Sequence, residues 1–197
     1  KVNNKVCGAV AEDMINNKTF EIKSKTVINA TGVFADDILQ MDNENAGDIV
    51  TPSQGIHLVV DKKFFPGNHA MMIPKTDDKR VLFAVPWHNK VVLGTTDTEV
   101  EDISDDPIPL KEEIDFILKH ANRYLKANIS INDVESMYAG LRPLVRTKGV
   151  TNTSMLSRDH VIIVAHSNLI TITGGKWTTY RRMAEDAVNK AIKMNEL

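Results

Sequence analysis

Between Val50 and Thr98 the chain runs through four short β-rich stretches, GIHLVVD, HAMMIPK, RVLFAVPW and KVVLGTTD. The last three are separated by TDDK and HNK, which supply hairpin-turn chemistry. Strands joined by such short turns pair antiparallel, so this stretch predicts one antiparallel sheet. The segment DDPIPLKEEIDFILKHANRYLK follows. Its Leu110, Ile114, Ile117, Leu118, Ala121 and Leu125 recur at helical spacing and make one apolar stripe. Pro109, Glu112 and Glu113 suit the first turn of a helix over residues 110–126, and Lys126 suits its last. That stripe is expected to cover one face of the sheet.

The flanks are patterned differently. VCGAVAEDMINNKTFEIKSKTVINATG reads as a β-meander, with Val6, Ala9 and Val10 before the turn at Asn16, Asn17 and Lys18, and Phe20, Ile22, Val27 and Ile28 after it. TVINATG is a strand running into Gly32, the kind of carboxyl end at which α/β sheets place ligands. VFADDILQM then has a short helical pattern. Beyond the central region, DVESMYAGLRPLV is strand-like and predicted to break at Pro143. HVIIVAHSNLITITG is two apolar β runs hinged at HSN, and a helix is predicted from Thr178 to about Met194. Its stripe would be Met183, Ala184, Ala187, Val188, Ala191 and Ile192. The order is therefore α/β, antiparallel β, α/β: an α+β chain with a second domain inserted into the first. The expected boundaries are 1–49, 50–150 and 151–197.

Composition excludes several functions. A formal net charge of −2 gives no basic field for nucleic acid. The single cysteine, Cys7, forms no internal disulfide and suits a reducing compartment. No apolar run nears the ~20 residues of a membrane helix, and no stretch reads as a signal peptide. The opening KVNNKVCGAVAED has no initiator Met and reads as already inside a strand region, so the chain is expected to be a piece of a longer one. The six histidines, at 57, 69, 88, 120, 160 and 166, are scattered, so no metal site is expected. A G-x-S-x-G elbow, a P-loop and a G-x-G-x-x-G turn are all missing from the 197 residues.

The strongest local signal is ITITGGKWTTYRR. Gly174 and Gly175 leave the backbone bare where a ligand can approach, Lys176 adds a point charge, and Thr178 or Thr179 can cap the helix that follows. A helix start of this kind suits an anion or an electron-rich ring, and a plain strand-to-helix turn is the competing reading. Arg142, in GLRPL, sits among apolar residues and must be paired or face a polar cleft. Arg158 in SRDH precedes a strand, and His57 interrupts an apolar run. GTTDT reads as a polar strand end or a site loop. Taken singly, Arg142 also reads as half of a structural salt bridge, Arg158 as a solvated turn residue and His57 as a structural histidine; taken together, two arginines, a lysine and a histidine could converge on one dianionic group and one proton transfer.

In order and spacing, TVINATGVFAD, VTPSQGIHLVV, VPWHNKVVLGTTDT, YAGLRPLV, SRDH and ITITGGKWTTYRRMAE closely resemble the FAD-dependent glycerol-3-phosphate dehydrogenases, within the D-amino-acid-oxidase-like flavoproteins. The resemblance covers nearly the whole chain. It implies an α/β FAD-binding domain in pieces (1–49 and 151–197) around an antiparallel substrate domain (50–150). It implies oxidation of sn-glycerol 3-phosphate to dihydroxyacetone phosphate, with a hydride passing from C2 to flavin N5 and electrons then to quinone or oxygen. By motif, Arg142, Arg158 and Lys176 correspond to substrate ligands, and His57 to a base or orienting group, with Arg142 beside it in the catalytic set. Ala30, Thr31, Gly32, Gly174, Gly175, Lys176, Thr178 and Thr179 correspond to residues that line the FAD. The family's G-x-G-x-x-G third, which binds the ADP half, has no counterpart here. The resemblance also implies a cytoplasmic location, with peripheral attachment to the inner membrane face as an added option. Two other functions fit the same residues less fully: a sibling oxidase of amino or hydroxy acids, and a non-catalytic binding or assembly fragment.

Overall fold

The computed structural model describes residues 1–78, 80–125, 128–146 and 159–195. Lys126 and Arg158 lie outside them. Among the described residues one compact unit takes in 1–51, 143–146 and 159–195, and the other takes in 52–142.

The second unit is the antiparallel one. Strand β4 (Val50–Asp61) enters it at Pro52, and β5 (Met71–Ile73), β6 (Leu82–Trp87), β7 (Lys90–Gly94) and β8 (Thr98–Glu99) complete the order β5-β6-β7-β4-β8. Strand β9 (Val134–Val145) also pairs with β4. The register sets Leu58 against Leu93 and Val60 against Val91, and Ala84 also lies opposite Leu93. Alternation then sorts the sheet into two faces. Ile56, Leu58, Val60, Leu82, Ala84, Val91 and Leu93 are fully buried, while Val59, Phe83, Val85 and Val92 on the other face are only partly covered. Helix α2 (Lys111–Tyr124) packs Ile117, Leu118 and Ala121 against the buried face, with Leu125 and Ile129 beyond it.

Helix α2 follows the predicted stripe except at its start. Leu110 is exposed and extended, just outside the helix, because the Glu113 carboxylate accepts a hydrogen bond from the Leu110 backbone N–H (3.1 Å) and closes the first turn there. His120, fully buried on α2, has Nδ1 2.7 Å from the Phe116 carbonyl and accepts the Asp77 N–H at Nε2 (2.9 Å). Asp77 itself is paired with Arg123 and Lys119, which hold its carboxyl well below the usual carboxylate range.

The first unit holds the α/β part. Strands β1 (Gly8–Asp13) and β2 (Lys18–Lys23) form a two-stranded hairpin. The predicted meander stops there. Strand β3 (Ile28–Asn29) leaves the hairpin and pairs in parallel with β11 (Ile170–Gly174), which is antiparallel to β10 (His160–Val164). Burial explains the change of partner. Ile170, Thr171, Ile172 and Thr173 are buried, and an apolar strand of that kind takes a second neighbour where the fully exposed β2 offers no core.

Two other expectations are corrected. Pro143 lies within β9 instead of ending it, since proline's fixed φ of about −65° belongs to the extended region and a strand near its end can spare that N–H. In helix α3 (Tyr180–Asn195) only Ala187 and Ala191 of the predicted stripe are buried, while Ala184, Val188 and Ile192 are exposed. Small side chains let this helix lie close to its neighbours along one narrow line, leaving the rest of the stripe outside it.

Candidate active site

In the second unit, the open face of the sheet carries the site. His57 projects from β4, Tyr138 and Arg142 from β9, and Thr95 from the turn after β7. Residues 138 and 142 are an even number apart on one strand, so they share a face. The His57 ring stacks on Tyr138 with centroids 5.1 Å apart and planes 17° from parallel. An Arg142 Nη donates to the Thr95 hydroxyl (3.0 Å). Two glycines make room for these groups. A Cβ on Gly55 would overlap the Arg142 guanidinium, and one on Gly94 would overlap the His57 ring. Each functional side chain therefore lies flat on a bare piece of backbone. The pairing sets His57 opposite Gly94 across the β4–β7 ladder.

A cavity of about 610 Å³ opens on this face, lined by His57, Thr95 and Tyr138 at one side and by Val59, Phe83, Val85, Trp87, His88, Lys90, Val92 and Gly94 across the rest. It is apolar with a few polar groups, the usual make-up of a small-molecule site. Burial, and second to it the Arg142 guanidinium, lower the pKa of the His57 imidazole from its ordinary value. His57 is therefore a neutral ring at neutral pH, able to accept a proton.

In the first unit the two predicted glycine turns meet at one sheet edge. The parallel register sets Ile28 beside Ile170 and Asn29 beside Thr171, so NATG and TGGK leave the carboxyl ends of adjacent strands. Buried Asn29 ties them together. Its amide donates to Thr171 Oγ1 (3.3 Å) and to the Ala35 carbonyl (2.9 Å), and its Oδ1 accepts the Thr31 hydroxyl (2.7 Å). Gly32 has φ +65° and a Cβ there would meet no atom within 4 Å, so its backbone faces open space. Gly174 and Gly175 also have positive φ, but a Cβ on either would strike protein: the Asp159 carbonyl and Val145 for the first, Met183 for the second. Their bareness is thus required by packing in the chain itself. The Thr179 hydroxyl accepts the Lys176 N–H (3.0 Å) and donates to the Lys176 carbonyl (2.9 Å), closing the turn before α3. Lys176, Thr178 and Thr179 are exposed. An open carboxyl edge with left-handed Gly32 on one turn and an exposed cation on the next fits the flank of a planar, anionic cofactor such as a flavin.

The structure thus brings His57 and Arg142 together in one unit, and Ala30, Thr31 and Gly32 to the same edge as Gly174 and Gly175 in the other. Tyr138 and Gly55 were not anticipated from the sequence, whereas Gly94 and Thr95 belong to GTTDT, for which a site loop is one of the two sequence readings. Tyr138 was discoverable at an even spacing before Arg142, and Gly55 two residues before His57. Among the described residues no group of three or more His, Cys, Asp or Glu could hold a metal, and no helix is long and apolar enough to cross a membrane.

The fold and these motifs define a flavoprotein class, and the chain belongs to the FAD dependent oxidoreductase (DAO) family, whose model matches residues 3–181. Among its relatives, the chain is 43% identical to the mitochondrial glycerol-3-phosphate dehydrogenase of Rattus norvegicus over 98% of its own length and 27% of that protein. It is 39% identical to that of Schizosaccharomyces pombe, over 96% of this chain and 32% of the other. The crystal structure of the Bacillus halodurans glycerol-3-phosphate dehydrogenase complexed with FAD superposes with a TM-score of 0.85 at 35% identity, covering 100% of this chain and 38% of that one. The chain thus spans about a third or less of the length of these curated relatives. The superposition bears out the expected α+β fold, an antiparallel sheet with its covering helix inserted between segments of an α/β unit.

Proposed function

We propose that this chain is part of an FAD-dependent dehydrogenase that oxidises sn-glycerol 3-phosphate to dihydroxyacetone phosphate. The observation that carries the reading is the pair on the open sheet face: a neutral, half-buried His57 beside an Arg142 laid on bare backbone. The similarity to glycerol-3-phosphate dehydrogenases over nearly the whole chain supports the choice of substrate.

Residues 52–142 supply Arg142 and His57 to the substrate, and the other unit supplies the cofactor flank and Lys176. Arg142 presents a planar fork suited to a phosphate or hydroxyl oxygen, which an ammonium does not reproduce. Lys176 and Arg158 are assigned to the same anionic substrate by their motifs. His57 accepts the C2 hydroxyl proton on a ring nitrogen, and Tyr138, stacked against it, keeps the ring in one plane. Ala30, Thr31, Gly32, Gly174, Gly175, Lys176, Thr178 and Thr179 line the cofactor. When bound, FAD supplies the acceptor for the C2 hydride. The substrate thereby loses a hydride and a proton and becomes the ketone. The electrons then pass to quinone or oxygen; a quinone acceptor places the protein at a membrane surface, with peripheral attachment.

The test is anaerobic mixing of the full-length, flavin-loaded protein with sn-glycerol 3-phosphate. Bleaching of the flavin absorbance is expected. Bleaching by D-amino acids and not by glycerol 3-phosphate would replace this reading with that of an amino-acid oxidase.

A further inference from the structure

Glu113 lies on the opposite side of the sheet from His57 and Arg142, yet it is only 3% exposed and fully engaged. Oε1 accepts the hydroxyls of Thr96 (2.7 Å) and Thr98 (2.8 Å). Oε2 accepts the Gln54 amide (2.7 Å) and the Leu110 N–H (3.1 Å). Thr96 Oγ1 in turn accepts the Ile56 N–H (3.0 Å), joining the turn after β7 to β4 a second time. Capping α2 uses one of these four bonds. The other three reach out of the helix to two particular backbone segments.

Those segments are the ones that seat Arg142. Gly55 is the shelf under the guanidinium, and its neighbour Gln54 is tied to Glu113. Thr95 supplies the guanidinium's hydroxyl partner, and its neighbour Thr96 is tied to Glu113. Gln54 and Gly55 are successive residues of β4 and so face opposite sides of the sheet, and in the turn after β7 Thr95 bonds Arg142 while its neighbour Thr96 bonds Glu113, so a carboxylate that holds 54 and 96 from behind also holds the backbone of 55 and 95. A charged acceptor is suited to this, since charge-assisted bonds are shorter and stronger than neutral ones.

We infer that Glu113 is a positioning residue for Arg142, clamping β4 and the 94–98 turn from behind the sheet so that the guanidinium stays in its seat. This rests on the proposed role of Arg142 toward the substrate. Glu113 touches neither substrate nor cofactor and acts only through the two backbone segments.

The experiment is a double-mutant cycle of Glu113→Gln and Arg142→Ala in the full-length, flavin-loaded protein. Gln keeps the size of the side chain but loses one acceptor oxygen. Glu113→Gln is expected to raise KM for sn-glycerol 3-phosphate by about tenfold with kcat changed much less, and to add nothing once Arg142 is Ala. A second readout needs no substrate: the titration of His57 followed by imidazole NMR. The groups around that ring are Arg142 and Tyr138, with His88 and Lys90 lining the same cavity. Glu113→Gln should move the His57 midpoint upward, toward that of Arg142→Ala, because the cation leaves its seat. Should Glu113→Gln fail to fold, Gln54→Met removes one arm of the clamp and is expected to shift both readouts in the same direction. Additive losses in the cycle, or an unmoved His57 titration, would overturn the inference. If the wild type does not oxidise glycerol 3-phosphate, the functional reading fails, and the His57 titration still decides the role of Glu113.

Discussion

Arg142 and His57 depend on atoms that are missing as much as on atoms that are present. Gly55 and Gly94 are bare because side chains occupy the volume a Cβ would take. Gly55→Ala should therefore unseat the guanidinium. Losing one charge-assisted contact costs about 1.5–3 kcal/mol, so kcat/KM for glycerol 3-phosphate should fall by roughly one to two decades. Gly47→Ala is the control, since a Cβ there meets nothing within 4 Å, and it should leave kcat/KM unchanged. Equal values for the two variants would contradict the seat. His57 makes a second, pH-dependent claim. Its folded-state pKa lies below the ordinary value, so the unfolded chain binds a proton that the folded chain refuses. The stability this group contributes is complete above the unfolded pKa of about 6.5 and is lost as pH falls toward the folded one. Activity should follow the same limb, rising with pH through a midpoint below 6.5, and His57→Gln should abolish that limb. A midpoint above the ordinary histidine value in the pH profile of kcat/KM would refute this.

At the scale of elements, α2 and the sheet beneath it make the firmest energetic claim. Ile117 is fully buried between them, and truncating such a side chain costs roughly 2–5 kcal/mol through lost burial and the cavity left behind. Ile117→Ala should lower the denaturant midpoint with the slope unchanged, while Lys111→Ala, at the exposed start of α2, should change it little. The period-3.6 stripe of α2 and the turns TDDK and HNK were legible because each is a local signal. The partner of β3 was not, since parallel pairing with β11 joins residues 28 and 170 and no local pattern reports it. The α3 stripe misled for a related reason. Periodicity shows which residues share a helix face, and the width of that face in contact depends on what packs there. In the site, Arg142, His57 and the glycines of NATG and TGGK stood out in the sequence, whereas Gly55 under the guanidinium did not. Tyr138 did not, because a tyrosine in a β-rich run reads as ordinary packing. Glu113 read as a first-turn acid, which it is, with three further bonds that only the fold could disclose.

For the whole molecule, the proposed function divides the labour between an antiparallel sheet that presents Arg142 and His57 to the substrate and an α/β unit that flanks the cofactor and carries Lys176. The 197 residues include no G-x-G-x-x-G turn for a pyrophosphate, so this chain purified alone is expected to be colourless, and a yellow preparation with stoichiometric flavin would count against that division. The central claim is that Arg142 on the open sheet face binds the substrate of a glycerol-3-phosphate dehydrogenase. Its most direct test is kcat/KM for sn-glycerol 3-phosphate in flavin-loaded, full-length Arg142→Ala, with Arg142→Lys beside it. A fall of about one to two decades is expected for Ala, with little recovery for Lys, because the planar fork is lost in both. Wild-type kcat/KM in Arg142→Ala at normal flavin content would contradict it and leave Arg142 a structural cation.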